Sequence, residues 1–143
     1  MTSIPATLQR LQHAAGLAAI LDAAYDAFED VLQAIRAHED PASGLFAAFL
    51  MAAASAANGR DAILFAPSLP AGQGSSTPAA GDQGPAGQSA ASVADAVAGL
   101  SRVLAARLTE AWETAADPGD RAACADAVCC AQSIAGLLGG SEP

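Results

Sequence analysis

The chain of 143 residues contains no lysine. Its six basic residues are all arginine: Arg10, Arg36, Arg60, Arg102, Arg107 and Arg121. Without lysine there is no Schiff-base nucleophile, no anchor for pyridoxal phosphate and no phosphate-binding lysine of a P-loop. Positive charge is scarce as well. Fifteen acidic residues leave a net charge of -9, which opposes nonspecific binding to nucleic acid or to an anionic membrane surface. An alanine-rich composition without lysine also fits a GC-rich bacterial gene.

Aromatics make up 4% of the residues, with one tryptophan and one tyrosine, so the 52% hydrophobic content is mainly alanine and leucine. Such a core lets helices approach closely but offers few large anchors. Three cysteines, Cys124, Cys129 and Cys130, stand as C-x4-CC. They are odd in number, and adjacent cysteines bridge only with strain, so no disulfide framework is expected and a reducing cytoplasm fits best. The N-terminal stretch lacks the basic-then-apolar order of a secretory signal. Ser-His-Asp spacing, zinc spacing and a glycine-rich phosphate loop in its strand-loop-helix setting are all missing.

What is present is helical periodicity. Leu17, Leu21, Ala24, Phe28, Val31 and Ile35 alternate spacings of four and three, tracing one helix face, with Asp22, Asp26, Glu29 and Gln33 opposite and expected in solvent. The stripe of Ile4, Leu8, Leu11 and Ala15 is out of phase with that face. A bend near Gly16 is therefore expected, or an arm of residues 1–16 that packs separately, with a second subunit as one surface open to it. Asp40 and Pro41 look like an N-cap and first helical residue, opening a helix that closes at Asn58–Gly59. The short run Ala62–Ala66 reads as a docking segment or an extra turn.

Residues 67–89 are rich in Gly, Pro, Ser and Gln, with almost no large apolar side chain to offset their ordering entropy. They are expected to form a long flexible loop. Beyond it, Val93, Val97, Leu100, Leu104, Leu108 and Ala111 mark another helix. Asp117–Pro118 then opens a last one, ending near Leu138 before Gly139. The order helix, Asp-Pro, apolar helix, Gly thus occurs twice, with Gly59 and Gly136 in register.

These elements predict an all-α fold: a four-helix bundle of two αα-hairpins, residues 17–66 and 90–138, in a single domain. The charge-free stretch from Pro41 to Gly59 is nearly half alanine and includes serine and asparagine, so it reads as a buried bundle helix and not as a membrane span.

Candidate chemistry is sparse. Asp22, Asp26, Glu29 and Asp30, with Glu110 and Glu113, resemble the oxygen clusters that hold hard cations, but their placement opposite the leucine face favours a solvated surface. His13 and His38 lack the Glu-x-x-His spacing of bundle metal sites, and His38 suits a helix C-terminus. The cysteines read as small core residues. No metal or cofactor is expected.

The leading expectation is a noncatalytic cytoplasmic protein acting through protein–protein contact or self-association, most simply a homodimer joined near Leu8 and Leu11. The alternative is a small-molecule binder or accessory biosynthetic enzyme. Its apolar pocket would lie between helices near Tyr25, Phe28, Trp112 and the cysteines.

Overall fold

A computed structural model describes residues 4–38, 44–69 and 89–139. All regular structure in them is helical: α1 (Ile4–His13), α2 (Leu17–Arg36), α3 (Phe46–Leu64), α4 (Ala90–Thr114) and α5 (Pro118–Leu138). Helices α2 to α5 form the four-helix bundle of two hairpins. Around its perimeter α2 packs on α3, α3 on α5, α5 on α4 and α4 on α2, and α1 lies across α2 and α4. The buried hydrophobic residues of all five helices belong to one cluster.

The local chemistry of the second hairpin follows its sequence. Ser89 caps α4, its Oγ accepting the Ser92 N–H at 3.1 Å. Asp117 caps α5 by accepting the Gly119 N–H at 2.7 Å, and Pro118 sits at the first helical position, where a missing N–H leaves no bond unmade. The bend before α2 is also present. Gly16 has φ +93°, a backbone conformation that L side chains rarely adopt, and it separates the out-of-phase stripes of α1 and α2.

Three expectations are corrected. First, Asn58–Gly59 does not end α3, which runs on through the Ala62–Ala66 stretch as far as Leu64. Gly59 is buried inside the helix against the Phe28 ring, so its role is clearance and not capping. Its register partner Gly136 faces open space, so the two repeats are not equivalent there. Second, α3 is not swallowed by the core. Phe49, Ala52, Ala56, Gly59 and Ile63 face inward, while Ala47, Leu50, Met51 and Ala54 are exposed. Third, the acidic side of α2 is not simply solvated, because α1 docks on it and Asp30 is only 8% exposed. The expected cap at Asp40–Pro41 and most of the loop expected at 67–89 lie outside the described residues.

Candidate functional site

The residues expected to make contacts lie at different depths in the structure. Leu11 is fully buried in its own chain and Leu8 is partly buried, so the α1 stripe faces inward, against α2 and α4. Phe28 is fully buried beside Gly59, and Tyr25 is partly buried at the edge of the core. Trp112 is 37% exposed. The Arg121 guanidinium lies 4.4 Å from its ring centroid, a cation–π arrangement joining α4 to α5. Beside it runs an open groove of about 240 Å³ lined by Thr109, Trp112, Ala125 and Val128. Neither Tyr25 nor Phe28 reaches that groove.

The carboxylates of α2 are engaged one by one. Thr7 Oγ1 donates to Asp30, Arg10 donates to Asp26 at 2.5 Å and lies 3.7 Å from Asp22, and Arg60 of α3 donates to Glu29 at 3.0 Å. Burial pushes the Asp30 carboxyl up to about 6, against the lowering effect of the Thr7 hydrogen bond. Burial also raises Asp22. Glu110 pairs with Arg107 on its own helix, and Glu113 is exposed. Among the described residues no three His, Cys, Asp or Glu side chains converge as a metal site.

The histidines and cysteines lie in differing surroundings. His38 Nδ1 lies 3.1 Å from the Ala34 carbonyl oxygen at the end of α2, and His13 is exposed. Cys124 is buried, and burial with the nearby Asp120 raises its thiol to about 11. A thiol so protonated is a poor nucleophile. Burial likewise raises Cys130, while Cys129 is exposed. Asp120 itself is almost fully buried and accepts both the Ser68 backbone N–H at 2.9 Å and the Ser68 hydroxyl at 2.7 Å. This couples the chain leaving the first hairpin to the start of α5.

The surface that the sequence reading missed is the outside of α3. Leu50 is 47% exposed and Met51 58%, with Ala47 and Ala54 exposed on the same side. From Gly44 to Asn58 the sequence has no charge. Leu64 and Phe65 are exposed farther along, beyond Arg60 and Asp61. The signal was available in that uncharged run, but its alanine content made burial on all sides look natural. Among the described residues one helix, Pro118–Leu138, is long and apolar enough to cross a membrane; it carries Asp120, Arg121 and Asp126 and packs on α3 and α4. Comparison with protein-family models, curated proteins and solved structures gives no match.

Proposed function

We propose that this chain is a noncatalytic helical protein that associates with a second copy of itself through the outer face of α3. The observation that carries the reading is the exposure of Leu50 and Met51, flanked by Ala47 and Ala54, on a charge-free helix surface. Contiguous exposed apolar patches mark interaction surfaces. Charge selects the partner. Two chains of net charge -9 repel one another least where they meet through a surface that carries no charge of its own, and this part of α3 is such a place. Alanines beside the two large side chains would let the paired helices approach closely.

Free thiols at Cys124, Cys129 and Cys130 support a reducing, cytoplasmic setting. Light scattering across a concentration series tests the association: a mass rising toward two chains supports it, and a mass of one chain at every concentration removes it.

A second reading, small-molecule binding, draws on the groove beside Trp112. Its four lining residues include no charged side chain to orient a ligand, and Arg121 already covers the indole ring. That arrangement suits a sealed helix edge better than a ligand pocket.

A further inference from the structure

The α1 arm is attached to the bundle in an unusual way. Only Leu11 among its large side chains is fully buried, whereas Ile4 and Leu8 are partly covered. Polar couplings do much of the holding. Thr7 donates to Asp30, Arg10 reaches Asp26 and Asp22, and Arg107 of α4 donates to the carbonyl oxygens of Leu11, at 3.1 Å, and Ala14 at the arm's end. Asp22, Asp26 and Asp30 recur every four residues along one side of α2, so the arm meets all three there, Asp22 and Asp26 through Arg10 and Asp30 through Thr7. The arm ends at Gly16, whose positive φ and open surroundings suit a pivot.

We propose that α1 is a proton-regulated latch: a proton on Asp30 seats the arm against α2, loss of that proton loosens it, and the chain pivots at Gly16. The inference is independent of association through α3, which α1 does not touch. The groups around Asp30 set the sign. From α1 come the Thr7 hydroxyl and Arg10; from α2 come Asp26 and Glu29, both of which repel a second negative charge. Arg60 of α3 is held by Glu29, and Arg107 of α4 is held by Glu110 and by the carbonyls at the far end of the arm. Desolvation under the arm outweighs the help from Thr7 and Arg10, so the covered carboxyl keeps its proton to about pH 6, against 3.8 for a free one. Lifting the arm returns the carboxylate to water. Ionisation therefore favours the open arm.

Hydrogen exchange of the full chain between pH 4 and pH 7, corrected for intrinsic exchange rates, tests the latch. Protection of the Leu8–Leu11 amides is expected to fall by tens of fold across this range, the scale set by a shift of about two pKa units. The Ala127 and Ala131 amides in α5 should stay far better protected than the arm at every pH, which separates opening of the arm from unfolding of the bundle. Asp30→Asn should remove most of the slope. Equal slopes in the two proteins, or α1 protection independent of pH, would overturn the proposal. Should Asp30→Asn fail to fold, the carboxyl carbon of Asp30 in the unaltered chain can be titrated by NMR: a midpoint near 6 supports the latch, and one near 4 overturns it.

Discussion

The ring of Phe28 in α2 lies against the α-carbon of Gly59 in α3, and a Cβ built on Gly59 would overlap the ring's far edge. Both residues are buried, so neither has room to give way. A glycine in a helix interior is unfavourable by about 1 kcal/mol relative to alanine, and here close contact between helices replaces what propensity loses.

Gly59→Ala is therefore expected to destabilise the protein by about 1–3 kcal/mol in urea unfolding, despite its better helix propensity. Combining it with Phe28→Leu should cost less than the sum of the two single changes, because the shorter side chain restores clearance. Additive losses would show that the ring and the glycine are not in conflict.

Asp30 sets a pH dependence whose sign follows from burial. Its folded carboxyl binds a proton more tightly than the unfolded one, about 6 against 3.8. Folding therefore takes up protons between these values, and the contribution of Asp30 to stability falls as pH rises from about 4 to about 6 and is level above. Asp30→Asn should match the unaltered protein near pH 4 and exceed it at pH 7.5, by an amount of the order of 3 kcal/mol at most. Chemical denaturation at the two pH values measures both ends, and a variant less stable at pH 7.5 would contradict the assignment.

Arg107 supplies hydrogen bonds that the end of α1 lacks within its own helix, by donating to the Leu11 and Ala14 carbonyls. Arg107→Met keeps most of the side-chain stem and removes the donors. It should lose about 1–3 kcal/mol and speed amide exchange in α1 more than in α5. Uniform changes across both helices would mean that the arginine stabilises the bundle generally.

Asp120 and Ser68 predict a graded pair of effects. Asp120→Ala leaves two Ser68 donors without their acceptor and should destabilise by about 2–3 kcal/mol, whereas Asp120→Asn keeps one accepting oxygen and should lose less. Thermal unfolding ranks the three proteins, and an alanine variant as stable as the original would show that water replaces the carboxylate.

Much of the fold was legible because its signals are local. The period of α2, the Asp117 cap and the Gly16 bend depend on residues only a few positions apart. Gly59 was misread because a glycine after Asn58 ordinarily ends a helix, and only Phe28, far away in sequence, keeps it inside one. The docking of α1 left a faint mark: Thr7 and Arg10 are three residues apart on one helix side, and the aspartates they meet are four apart on one side of theirs. Which helices become neighbours decides whether such carboxylates are covered, and periodicity within one helix does not carry that information. The exposed face of α3 was hidden by uniformity, since alanine on every side gives no direction to the pattern.

Sedimentation equilibrium of the full chain beside Met51→Glu tests the role of α3 most directly. The unaltered protein should approach twice 14.0 kDa at micromolar concentrations, and the variant should sediment at 14.0 kDa with unchanged helical circular dichroism. A one-chain mass for both proteins, or a two-chain mass for both, would contradict association through this face.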